Sequence, residues 1–206
     1  MNYKWEDHPK WVAEKNLILL ENEVTVKKAQ GVGSVAMQGW IYGELPQTPQ
    51  LISETNGIDN VTILYKVKDA DDSTYTNEVP ETSGAYTVKA IFATTEHYTK
   101  AVATADFTIA KATPTYTAPG AISLRYNGAA QALVTAGTVD GGTIYYKLND
   151  GEWTTGIPTA TDAGVYKVSF KIAGDASHTD IAETVVDDVA IVPASITVHP
   201  KAGQTM

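Results

Sequence analysis

Two stretches of this chain carry the same landmarks in the same order, about 80 residues apart, so the fold must be one that a chain of this length can make twice. Val61-Thr62-Ile63-Leu64-Tyr65-Lys66 returns as Gly142-Thr143-Ile144-Tyr145-Tyr146-Lys147, and Gly84-Ala85-Tyr86-Thr87-Val88 returns as Gly164-Val165-Tyr166-Lys167-Val168. Upstream, Trp40-Ile41-Tyr42-Gly43 answers Leu124-Arg125-Tyr126-Asn127-Gly128. Downstream, Phe107-Thr108-Ile109-Ala110-Lys111-Ala112 answers Val189-Ala190-Ile191-Val192-Pro193-Ala194. The ends fall in the same register: Glu23 to Ala29 resembles a third copy of the last strand, and Ser195-Ile196-Thr197-Val198 resembles a further opening. The expected organisation is therefore 1–29 as the tail of a preceding repeat or an N-terminal cap, 30–111 and 112–193 as two repeats, and 194–206 as the start of a following repeat or a linker.

Within each repeat the apolar period is two, as in Tyr86/Val88/Ala90/Phe92 and Tyr166/Val168/Phe170/Ile172, the signature of strands with one buried face. Ile63/Tyr65/Val67 and Ile144/Tyr146/Leu148 repeat it. Asn149-Asp150-Gly151 then supplies turn residues, and Glu152-Trp153-Thr154 is expected to return as the next strand of a hairpin. Frequent threonine, nine prolines and sixteen glycines favour short strands and leave only Trp11–Leu20 as a helix of useful length. Several short strands within about 80 residues predict an all-β chain of two tandem immunoglobulin-like antiparallel β-sandwich domains.

Composition narrows the function. With 15 Lys+Arg against 24 Asp+Glu and a single arginine, Arg125, no basic face is available to neutralise phosphates, so neither nucleic acid nor an anionic membrane is an expected partner. No cysteine is present, which excludes disulfides and cysteine nucleophiles. No run approaches the roughly 18 apolar residues of a membrane span, and the opening residues lack a signal-peptide profile, so an extracellular setting requires that the chain be part of a longer one.

The segment Thr161-Asp162-Ala163-Gly164-Val165-Tyr166-Lys167-Val168 resembles the tyrosine corner of immunoglobulin-type sandwiches, with Val168 where the cysteine would stand. Thr82-Ser83-Gly84-Ala85-Tyr86-Thr87-Val88 keeps the glycine and tyrosine without the aspartate. Gly84, Gly164, Asp162, Tyr86 and Tyr166 are thus expected to be structural, both tyrosines being buried with bonded hydroxyls. With the Tyr42-Gly43 or Tyr126-Asn127-Gly128 start and the Ile-Ala-Lys-Ala or Ile-Val-Pro-Ala junction, the stretch from about residue 24 to 200 resembles the Ig-like repeats of large bacterial surface proteins, the MBG or YDG type. The resemblance implies a non-enzymatic, monomeric spacer at a bacterial cell surface, in an adhesin-like protein, whose partners are the neighbouring repeats of its own chain. A glycan- or mucin-binding module is the alternative, with Trp153 as the candidate ligand contact.

Other motifs have bland explanations. Gly31-Val32-Gly33-Ser34-Val35-Ala36 matches a dinucleotide fingerprint, but strand and turn follow it where a helix is needed, so no cofactor is expected and the segment reads as a linker. Asp69, Asp71 and Asp72 space carboxylates in one loop and are weak calcium candidates, yet they lack the glycine and distant glutamate of an EF-hand. His8, His97, His178 and His199 never fall at metal-ligand spacing. Trp40 aligns with Leu124 and is expected in the core, and Trp153 is placed to cover Tyr145 across the strand pair.

Overall fold

The computed structural model describes residues 27–197 and, for the backbone alone, 18–20 and 23–25. The described chain is all-β, with no helix beyond a single 3₁₀ turn at Asp72–Thr74. Of the Trp11–Leu20 segment expected to be helical, residues 11–17 lie outside the described residues. Ile18–Leu20 is strand β1, paired antiparallel with β2 (Glu23–Thr25), so backbone bonds that a helix would close within itself are made to a neighbouring strand instead.

Then follow β3 (Ser34–Ala36), β4 (Trp40–Ile41), β5 (Gln50–Ile52), β6 (Val61–Val67), β7 (Gly84–Phe92) and β8 (Ala101–Ala110). The later strands are β9 (Thr115–Thr117), β10 (Leu124–Arg125), β11 (Gln131–Ala132), β12 (Thr138–Asp140), β13 (Gly142–Leu148), β14 (Thr159–Ala160), β15 (Gly164–Val165), β16 (Val168–Gly174), β17 (Ile181–Val186) and β18 (Ala190–Val192). The chain divides into two compact units. Among the described residues, one is built from those up to Gly39, Pro46–Pro80 and Ala85–Thr108; the other is built from Trp40–Leu45, Glu81–Gly84 and those from Ile109 onward.

In the first unit β6 and β7 form an antiparallel ladder from Val61–Phe92 to Val67–Tyr86, and β8 lies beside β7. Strand alternation turns Tyr86, Val88, Ala90 and Phe92 inward. Phe107 completes the aromatic centre, stacked on Tyr86 at 5.7 Å between centroids and edge-on to Tyr65 at 6.2 Å. The β3–β5 pair adds Val35, buried like its near neighbour Met37.

In the second unit the sheets β13-β16-β17 and β10-β18-β15 share a core of Leu133, Val134, Ile144, Tyr146, Val168, Phe170, Ile172, Val186, Val189 and Ile191. Not every pairing is antiparallel. β10 runs parallel to β18, with Leu124 opposite Ile191, and β4 runs parallel to β8, with Trp40 opposite Ile109. Trp40 is buried, the core position expected of it. The expected return strand at Glu152–Thr154 is reduced to an isolated bridge between Tyr146 and Thr154, since Thr154 alone exchanges backbone hydrogen bonds with Tyr146, at 2.7 and 2.9 Å.

The ladders also fix which tyrosines correspond. Val67–Tyr86 closes the β6–β7 ladder and Leu148–Val168 closes the β13–β16 ladder, so Tyr86 holds the place of Val168 and not that of Tyr166. Tyr166 falls in the gap between β15 and β16.

Candidate functional site

The most regular local arrangement is a Lys-Ala dipeptide docked against a loop, and it occurs twice. Ala29 accepts from Thr99 N–H at 2.9 Å and donates to the His97 carbonyl at 2.8 Å, while Lys28 Nζ donates to the Thr95 carbonyl at 2.6 Å. Ala112 accepts from Thr179 N–H at 2.8 Å and donates to the Ser177 carbonyl at 3.0 Å, while Lys111 Nζ donates to the Asp175 carbonyl at 3.0 Å. Each alanine lies against its loop as a parallel bridge, Ala29 to Tyr98 and Ala112 to His178. Both lysines are legible in the sequence only as part of the recurring Lys-Ala dipeptide.

The second loop is further braced by a hydrogen bond between His178 Nδ1 and Asp175 Oδ1 at 2.8 Å, and this bond holds the Asp175 carboxyl below its ordinary range. Within the same unit His178 meets Tyr42 edge-on at 5.3 Å, and Ser83 Oγ donates to the Ala176 carbonyl at 2.8 Å. His97 takes part through its backbone carbonyl, and His8 and His199 lie outside the described residues.

A second recurring device is an aromatic ring set close to two lysines of one sheet face. Lys147 and Lys171 place their ammonium groups 4.6 Å from the Trp153 ring centroid, and Lys66 and Lys89 lie 5.0 and 3.5 Å from that of Tyr75. Trp153 does not cover Tyr145 directly. Lys171 lies 5.9 Å from the Tyr145 ring as well, so the long lysine stem stands where ring contact was expected, and no ring pair joins the two aromatics among the described residues. Tyr75 and the four lysines carry no motif and emerge only from strand register, which sets Lys89 opposite Leu64 and Lys171 opposite Tyr145.

Carboxylates balance these lysines. Lys147 pairs with Glu183 at 2.8 Å, which lowers the Glu183 pKa, and Lys66 pairs with Asp72 at 2.7 Å, raising the lysine and lowering the acid. Asp71 caps the 3₁₀ turn by accepting from Ser73 N–H at 2.8 Å, and that hydrogen bonding lowers its pKa. Asp69 sits at φ +62° in the turn after β6. The three loop aspartates thus answer to a lysine, a cap and a turn. Among the described residues no group of three or more His, Cys, Asp or Glu side chains is placed to hold a metal ion.

The glycines of the Gly31–Ala36 segment have a packing reason. A Cβ on Gly31 would fall 2.1 Å from the Thr99 carbonyl oxygen, and one on Gly33 would fall 2.5 Å from the Phe92 ring. The segment is therefore more than a linker: it runs over the core of the first unit and enters β3.

Of the five residues expected to be structural, Tyr86 is buried within β7 and Gly84 opens that strand. Gly164 pairs with Ile191, and Tyr166 is half-buried, its hydroxyl donating to the exposed Asp162 backbone carbonyl at 2.5 Å. Among the described residues no helix is long and apolar enough to cross a membrane. Compared with protein-family models, curated proteins and solved structures, the chain matches none.

Proposed function

We propose that this chain is a pair of Ig-like repeats, at 30–111 and 112–193, serving as structural spacers in a bacterial extracellular, adhesin-like surface protein, non-enzymatic and flanked by further repeats. The observation that carries it is the duplicated docking of Lys28-Ala29 and Lys111-Ala112, each fixed by three hydrogen bonds to a loop about 65 to 70 residues further along the chain. A spacer needs its connections held by backbone bonds, which leave few free torsions at the entry to a repeat. Residues repeated between the two halves serve strands, turns and these entries, as expected where the product is geometry.

Single-molecule stretching of the whole chain tests the proposal. Two unfolding events are expected, each releasing the length of roughly 80 residues at about 3.3–3.6 Å per residue. One event releasing the whole length, or saturable binding of the chain on a glycan or mucin array, would overturn it.

A further inference from the structure

The chain contains two Asn-Gly dipeptides, Asn56-Gly57 and Asn127-Gly128, and their surroundings differ sharply. Both glycines adopt positive φ, +70° and +81°, and neither would meet any atom within 4 Å if it carried a Cβ. The glycines are thus alike, and the contrast lies in the asparagines.

Asn56 is half-buried and held at every polar atom of its side chain. Its Nδ2 donates to the carbonyls of Ala93 at 2.7 Å and Thr99 at 2.9 Å, and its Oδ1 accepts from Thr55 Oγ1 at 2.7 Å. Asn127 is exposed. Its Oδ1 accepts from Ala129 N–H at 2.9 Å, and its Nδ2 has no protein partner among the described residues.

We propose that Asn127 is a site of spontaneous deamidation in the folded protein and that Asn56 is protected from the same chemistry by its hydrogen bonds. The backbone nitrogen of Gly128, on losing its proton, attacks Cγ of Asn127; the new C–N bond closes a five-membered succinimide while the Cγ–Nδ2 bond breaks and ammonia departs with the proton. Water then opens the ring at either carbonyl, leaving an aspartate or an isoaspartate at position 127. No oxidation state changes, and the only co-reactant is water. The unsubstituted glycine leaves the attacking nitrogen unhindered. At Asn56 the same displacement first requires the side chain to leave two backbone carbonyls and a hydroxyl, each bond adding to the barrier. The product places a new negative charge, and in the isoaspartyl form an extra backbone methylene, next to Tyr126, whose N–H donates to the Val192 carbonyl at 2.8 Å.

The test is to age the intact chain at mildly alkaline pH below its unfolding temperature, digest it, and follow both peptides by mass spectrometry for the amide-to-acid shift, with chromatography separating isoaspartate from aspartate. In the native chain the Asn127 peptide is expected to convert at least roughly tenfold faster than the Asn56 peptide. In denaturant the two are expected to converge. Equal rates in the native chain, no conversion at Asn127, or a rate ratio unchanged by denaturation would each overturn the proposal.

Discussion

The Tyr166 hydroxyl donates to the carbonyl oxygen of Asp162, four residues upstream, and so ties the approach to β16 back on itself. Tyr86, in the similar stretch of the first half, is in addition a buried ladder residue stacked on Phe107. Tyr166→Phe is therefore expected to cost on the order of 1 kcal/mol, the value of one hydrogen bond. Tyr86→Ala should cost about 3–5 kcal/mol, as large aromatic truncations in a core do, and Tyr166→Ala clearly less because its ring is half-exposed. Chemical denaturation of the three variants checks the order. A Tyr166→Ala cost equal to that of Tyr86→Ala would contradict it.

The different ladder positions of these two tyrosines mark how far the fold was legible in the sequence. Period-two alternation in Val61–Val67, Tyr86–Phe92, Gly142–Leu148 and Val168–Gly174 identifies the strands because each has one face in the core. Correspondence between the halves is less visible, since it depends on ladder register. Matching Gly-x-Tyr-x-Val aligns Tyr86 with Tyr166, whereas the hydrogen-bonded partners align Tyr86 with Val168. The lysine–ring contacts escape sequence reading for a related reason: Lys171 meets Trp153 only because a turn and a cross-strand pairing bring together residues that share no local pattern. The Lys-Ala entries sit between the two cases, visible as a repeated dipeptide but silent about the loops that receive them.

The lysine contacts of Trp153 give a second expectation. Trp153→Ala should lower the stability of the second unit by about 1–2 kcal/mol, from two partly exposed cation–π contacts and lost packing, while binding on a glycan or mucin array stays at background. If the substitution instead abolished measurable glycan binding and left thermal unfolding unchanged, the ring would be a ligand platform and the spacer proposal would fail.

Gly33 offers a steric test. Its φ is ordinary, so Gly33→Ala should act through contact alone: the added methyl group must displace the Phe92 ring and should cost about 1–3 kcal/mol. Gly43, at φ +86° with open space around it, isolates the other effect, since alanine there meets backbone strain without a clash. Denaturation midpoints that fall for Gly43→Ala but not for Gly33→Ala would show that the segment is not packed as described.

The charge pairs predict a stability plateau bounded on both sides. Asp71, Asp72, Asp106, Asp175 and Glu183 all have folded-state pKa values lowered, first by hydrogen bonds from Ser73, Lys66, Lys68, His178 and Lys147 respectively. Their contribution is present above the unfolded values of about 3.9 and 4.3 and is lost as pH falls through the folded ones. Lys66 and Lys68 are raised, chiefly by hydrogen bonds to Asp72 and Asp106, and Tyr65 and Tyr75 are raised by burial. These four contribute below the unfolded values of about 10 to 10.4 and cease to do so as pH rises through the folded ones. Urea midpoints measured across pH should therefore drop below about pH 4 and above about pH 10, with Asp106→Asn reducing the acid-side slope. A midpoint that rises on going below pH 4 would contradict the assignment.

The parallel placement of β10 beside β18 sets how the second unit resists being pulled apart. In the segment from Ile109 onward β10 is near the start and β18 near the end, so tension along that segment drives these strands past each other lengthwise. Under such shear the Tyr126–Val192 bond and its neighbours are loaded together, whereas an antiparallel terminal pair would peel open one bond at a time.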